Sequence, residues 1–216
     1  LRIIAIEGID GSGKTVQLEL LRQSYEARGL CVETKAFPEY DTFTGREIGA
    51  MLCGSGDVSA AQLDPKSMAL WFALNRYQSF SNYACKSDVL LVNRYVLSNA
   101  VYQSIRSQED LYDWIMALEH VHLKLPKPDV YVCLDVAPSQ ASCNVDKKGF
   151  RGYVGERKDV YEEDESIQHR CRAKYLEYAK AHDDIEIIGC MDNERLLAAE
   201  EINERIVKHL TRRNLI

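Results

Sequence analysis

The sequence predicts an α/β fold, with a five-stranded parallel sheet in the middle of three layers and helices on both of its faces. Three observations predict it. Five short apolar runs, at residues 2–7, 31–36, 88–93, 129–135 and 185–189, have the length and composition of strands. Segments with helical spacing lie between them, the alternation that builds a parallel sheet. Several of the runs are continuously apolar, as expected of strands covered on both sides. The 216 residues, 46% hydrophobic and 28% charged, suit one globular domain spanning 1–216, with a core of ordinary size.

Taken in order, the first run ends in Gly8-Ile9-Asp10-Gly11-Ser12-Gly13-Lys14-Thr15. This fits G-x-x-x-x-G-K-[ST], the phosphate-binding P-loop, and its context is the required one: a strand before and an amphipathic helix after. Gly8, Gly11 and Gly13 let the backbone bend close to a ligand. Successive N–H groups, Ser12 among them, then form an anion nest at a helix N-terminus. Lys14 is placed to reach the terminal phosphates of a nucleotide, and the Thr15 hydroxyl to bind Mg²⁺.

The second run leads into Phe37-Pro38-Glu39-Tyr40, where Pro38 ends the strand. Ligands of open α/β sheets bind beyond the carboxyl ends of the strands, which makes this loop a candidate substrate contact. Asp64-Pro65 opens the next long helix, with Asp as N-cap and Pro in the first turn. Phe72 and Arg76 lie four apart on it, so a ring and a guanidinium share one face; core packing and a surface charge remain the alternative. The third run ends in Asn93-Arg94-Tyr95, again polar at the carboxyl end of a central strand. Ser107 to Asp110 resembles a capping box that starts a helix carrying Leu111, Trp114, Ile115, Leu118 and Val121. Residues 143–163 have little periodicity, and 147–158 hold three glycines and five basic residues. Such a segment suits a lid over phosphates, or a solvated loop. A helix at about 162–182, the fifth strand and a final helix at about 194–212 complete the chain.

Composition narrows the function classes. A net charge of -6 argues against general nucleic-acid binding, so a phosphate site has to be local. No apolar stretch reaches the length of a membrane span. The seven cysteines form no C-x-x-C pair and the five histidines no metal spacing. The expectation is a cytoplasmic protein without a leader peptide, disulfides or zinc.

Together these residues resemble the thymidylate kinase family, with the P-loop nucleoside monophosphate kinase fold. The resemblance runs from Ile3 to about Ile188 and rests on GIDGSGKT at 8–15, FPEYDTFTG at 37–45, WFALNRY at 71–77, NRYVLSNAVYQ at 93–103, LDV at 134–136 and the basic segment at 147–158. It implies transfer of the γ-phosphate of ATP to dTMP, with Mg²⁺ and as a homodimer. It implies that Asp10 binds the deoxyribose 3′-hydroxyl, that Phe72 stacks on thymine, that Arg76 and Asn99 contact the base edge, and that Tyr102 crowds the sugar 2′ position. Arg94 would hold the monophosphate, with Phe37, Pro38 and Gln103 completing its site. Some members carry an arginine beside the P-loop aspartate and others in the lid. Gly11 stands at that position here, so Arg151 or Arg157 would supply the charge. The dimer would form through the helices after the first and third strands. The family usually has Asp-Arg-Tyr or Asp-Arg-His after the third strand. Asn93 keeps an oxygen near Mg²⁺ but loses the charge. The residues alone also leave open a kinase of another monophosphate or nucleoside, and a nucleotide-binding regulatory protein of weak activity.

Overall fold

β1 (Arg2–Glu7) is the middle strand, and its Ile4, Ala5 and Ile6 are fully enclosed. In a computed structural model of the chain, which describes residues 1–55, 58–81, 83–84, 86–146 and 165–216, it pairs with β3 (Val89–Asn93) on one side and β4 (Val130–Asp135) on the other. β2 (Val32–Ala36) and β5 (Ile185–Gly189) form the edges, giving the order β2-β3-β1-β4-β5, all parallel. The five predicted runs match these strands to within one residue at each end. The three central strands bury nearly every side chain, which is why they are apolar without alternation. The edge strands are less covered: β2 exposes Thr34 and Ala36, and β5 leaves Glu186 and Ile187 half-buried.

The helices follow the sequence signals closely where capping is local. α1 (Lys14–Glu26) starts directly from the glycine-rich turn. α2 (Phe43–Cys53) is capped by Thr42, whose Oγ1 accepts the Gly45 N–H at 3.1 Å. α3 (Pro65–Phe80) has the expected cap, Asp64 accepting the Ser67 N–H at 3.0 Å. α4 (Val96–Arg106) is buried from residue 96 to 104, so the helix after the third strand is core. That corrects its expected place in a dimer face. The exposed apolar residues Leu70, Leu74 and Tyr77 lie on one side of α3.

Three boundaries differ from expectation. Ser107 and Asp110 do not form a capping box. Ser107 Oγ accepts the Glu109 N–H at 3.1 Å and Asp110 Oδ1 accepts the Tyr112 N–H at 2.9 Å, two local turns that hold the chain non-helical. Helix α5 therefore begins later (Tyr112–Met116) and continues as a π-helical segment, Ala117–His122. The wider turn rotates the register, so Val121 is exposed and Glu119 is fully buried. Residues 143–146 of the expected lid belong to α6 (Pro138–Asp146); the rest of it, with Arg151 and Arg157, lies outside the described residues. The last helix, α8 (Ala199–Arg212), starts after a two-stranded hairpin, β6 (Met191–Asp192) and β7 (Arg195–Leu196), whose strands are too short for a sequence period. α7 (Glu165–Ala181) packs across α4 and α6. No helix among the described residues is long and apolar enough to cross a membrane.

Gly45 tests how tightly the 37–45 segment is folded. An added Cβ would stand 1.8 Å from the Glu39 carbonyl oxygen and 2.5 Å from its carbon. Gly45→Ala is expected to cost about 2–4 kcal/mol by forcing the turn open. In calorimetry that lowers Tm by about 5–15 °C; an unchanged Tm would mean that the turn at Glu39 yields freely.

Candidate active site

The P-loop turn is held by its own lysine. Lys14 Nζ donates to the carbonyls of Gly8 and Ile9, at 3.0 and 2.7 Å, and lies 3.4 Å from Ser12 Oγ. Gly13 caps α1 in the left-handed region, φ 89°, so the first N–H groups of the helix open toward the turn. Gly11, φ 77°, admits no side chain: a Cβ there would sit 2.0 Å from the Ala141 carbonyl of α6. Asn144 of the same helix donates to the Gly11 carbonyl at 2.9 Å. Helix α6 thus closes the space in which an arginine at position 11 would have to lie.

The end of β3 meets this turn. Asn93 Nδ2 lies 3.2 Å from Thr15 Oγ1. Arg94 adopts φ 61°, a conformation a bulky residue enters only under constraint, and such outliers gather at functional sites. Its side chain is bound to Asp10 through Nη2 and approaches Ser98 Oγ at 3.4 Å. Tyr102 donates to the other Asp10 oxygen at 2.9 Å, and Gln168 of α7 reaches that oxygen at 3.4 Å and accepts the Asp10 N–H at 3.1 Å. Burial opposes the charge on Arg94, but the Asp10 carboxylate keeps its pKa well above the ordinary value. Burial, reinforced by Asp10, pushes the Tyr102 hydroxyl well up, so it remains a donor.

A second polar cluster lies between α3 and α4. Arg76 is buried and pairs through two hydrogen bonds with Glu119, Nε to Oε2 at 2.5 Å and Nη2 to Oε1 at 2.6 Å. Burial lowers the Arg76 pKa, and the charge and hydrogen bonds of Glu119 more than restore it. Asn99 donates to the same Glu119 Oε1 at 3.0 Å. Phe72 stands partly buried one turn before Arg76. The loop after β2 is locked onto α3 by Asn75, whose Oδ1 accepts the Glu39 N–H at 2.9 Å while Nδ2 donates to Thr42 and Thr44, each at 3.0 Å. Phe37 does not line an open site: its ring is buried against Phe80 and Tyr95, each 5.9 Å away.

A scan against family models matches residues 6–200 to the model described as Thymidylate kinase. The chain belongs to the thymidylate kinase family. A thymidylate kinase of Mycobacterium tuberculosis (strain CDC 1551 / Oshkosh) is 36% identical over 186 residues, covering 82% of this chain and 85% of the relative. A probable thymidylate kinase of Pyrococcus abyssi is 27% identical over 208 residues, 94% and 93% of the two chains. A solved thymidylate kinase structure from Candida albicans matches the fold with a TM-score of 0.72 at 20% identity, over 99% of this chain and 92% of the other.

In this thymidylate kinase family member the structure joins Asp10, Arg94 and Tyr102 in one cluster and Arg76 and Asn99 in another. The buried partners that fix them were not legible in the sequence. Glu7, fully buried at the end of β1, accepts the N–H of Tyr95 at 2.8 Å and of Ser98 at 3.3 Å, and the Ser98 and Tyr175 hydroxyls. It caps the start of α4 from a neighbouring strand. The one available signal was a carboxylate closing an apolar run just before the glycines. Glu7→Ala would strand two buried backbone donors and is expected to cost about 2–5 kcal/mol. Urea denaturation would show this as a lower midpoint, with Glu7→Gln between the two. A midpoint unmoved in Glu7→Ala would remove the capping role.

Proposed function

We propose that this chain transfers the γ-phosphate of ATP to dTMP, giving dTDP and ADP. The observation that carries the reading is the Asp10–Arg94–Tyr102 cluster, which ties the P-loop to α4, the helix that also bears Asn99. In this reading Gly8, Gly11, Ser12, Gly13, Lys14 and Thr15 bind the ATP phosphates. Arg94 holds the dTMP phosphate, Asp10 the 3′-hydroxyl, and Phe72 the thymine ring. In the same reading Tyr102 crowds the sugar 2′ position, which favours deoxyribonucleotides.

A monophosphate carries a charge of about -1.5 to -2 at neutral pH, so it attacks without a general base. The obstacle is the approach of two polyanions, and positioned cations answer it. Lys14 and Arg94 supply charge from the described residues. In this reading the remaining charge comes from the 147–158 segment, through Arg151 or Arg157, which the lack of room for a side chain at Gly11 supports. No cluster of three or more His, Cys, Asp or Glu suited to a metal occurs among the described residues. In this reading the Thr15 hydroxyl would hold a Mg²⁺ that arrives with ATP, with Asn93, whose Nδ2 donates to Thr15 Oγ1 at 3.2 Å, beside it. Bound there, Mg²⁺ neutralises charge on the phosphates. We assign a homodimer to the exposed Leu70, Leu74 and Tyr77 face of α3, and place the protein in the cytoplasm.

ADP release from Mg-ATP with dTMP, dUMP, UMP and dCMP tests the reading. Turnover is expected to be strongest with dTMP and small with UMP. Phe72→Ala is expected to raise the dTMP KM about tenfold or more, since stacking on a ring is worth about 1–3 kcal/mol. An unchanged KM would release Phe72 from the base site. Light scattering of Leu74→Lys should show a monomer where the wild-type chain is a dimer.

A further inference from the structure

Two amide side chains on α4 each keep one atom without a partner. Asn99 and Gln103 are one helical turn apart on one face, and both are buried. Asn99 Oδ1 and Gln103 Nε2 are buried and make no hydrogen bond among the described residues. Folded proteins rarely leave such groups unmet, so each calls for a partner from outside the chain, which a ligand atom can supply.

The orientation of both amides is dictated by charge. The two ends of an amide have almost the same shape, and the partners alone decide which end faces where. Asn99 Nδ2 donates to Glu119 Oε1 at 3.0 Å and to the Ala69 carbonyl at 3.1 Å, two groups that only accept. Gln103 Oε1 accepts from Arg106 Nη1 at 2.7 Å, a group that only donates. Arg106 is itself anchored by its Nη2 on the carbonyls of Ala60 and Leu63, the latter at 2.8 Å. A half-turn of either amide would set oxygen against carboxylate or N–H against guanidinium. Position 99 therefore presents an acceptor and position 103 a donor.

We infer that Glu119 and Arg106 are positioning residues for base selectivity, fixing an acceptor at Asn99 and a donor at Gln103 that match an imide base edge and mismatch an amino-pyrimidine. The inference rests on the dTMP reading above. Thymine and uracil offer N3–H flanked by two carbonyls. Cytosine offers a bare N3, which meets Asn99 Oδ1 lone pair to lone pair, and an amino group where the imide has a carbonyl. Glu119 also pairs with Arg76, so one buried carboxylate orients two of the groups that face the base. Neither Glu119 nor Arg106 needs to touch the nucleotide.

The test is calorimetric binding of dTMP and of dCMP to the full chain, compared as a ratio of Kd values. The wild type is expected to prefer dTMP. In Glu119→Gln the new amide can offer an N–H to Asn99, the acceptor orientation of Asn99 is then held by the Ala69 carbonyl alone, and the preference is expected to fall about tenfold. Arg106→Met is expected to lower it in the same direction by freeing Gln103. A merely structural role would weaken both nucleotides alike and leave the ratio unmoved. Wild-type ratios in both Glu119→Gln and Arg106→Met would overturn the inference while the dTMP reading stands. Should Glu119→Gln fail to fold, Arg106→Met at its half-buried position decides alone. A wild-type chain with no preference for dTMP would overturn both.

Discussion

The buried carboxylate of Glu7 holds the rest of the site in register. It ends the central strand, and its Oε1 takes the N–H groups of Tyr95 and Ser98 at the start of α4, which has no side-chain cap of its own. A carboxylate at a helix N-terminus is favoured by the helix dipole as well as by the hydrogen bonds. The same contact fixes Arg94, at the junction of β3 and α4, and the face of α4 that carries Asn99, Tyr102 and Gln103. Since β1 also leads straight into the P-loop, one residue couples the phosphate-binding turn to the wall opposite it.

Charge is assembled in pairs around this frame. Arg94 is matched by Asp10 and Arg76 by Glu119, and in both cases burial works against the charge while the partner sustains it. Such pairs add little net stability, since desolvation offsets much of the attraction. Their value is geometric: a guanidinium that cannot swing away is already in place when a ligand arrives, and no ordering of a long side chain is needed at that moment. Lys14, curled onto the Gly8 and Ile9 carbonyls, belongs to the same pattern.

The strands were legible because burial on both faces leaves a plain signature, an unbroken apolar run, and all five stand where the runs lie. The Asp64-Pro65 start of α3 was legible because capping is settled within four residues. The start of α5 was not, because Ser107 and Asp110 had two ways to satisfy nearby N–H groups and adopted the turns rather than the cap. Helix periodicity also failed across Ala117–His122, where a π turn changes the period itself and brings Glu119 rather than Val121 into the core.

The sequence by itself determined the parallel sheet, the P-loop and the family, because each is written in short contiguous patterns of residue type. Only the tertiary structure decided which polar groups meet. Glu7 finds the N–H groups of residues 95 and 98, and Glu119 finds Arg76 and Asn99. It also decided that Phe37 is core and that Gly11 faces a closed space. Those outcomes depend on distances between elements far apart in the chain. A local pattern records the needs of its own backbone; it does not record which distant donor will be brought to a given acceptor.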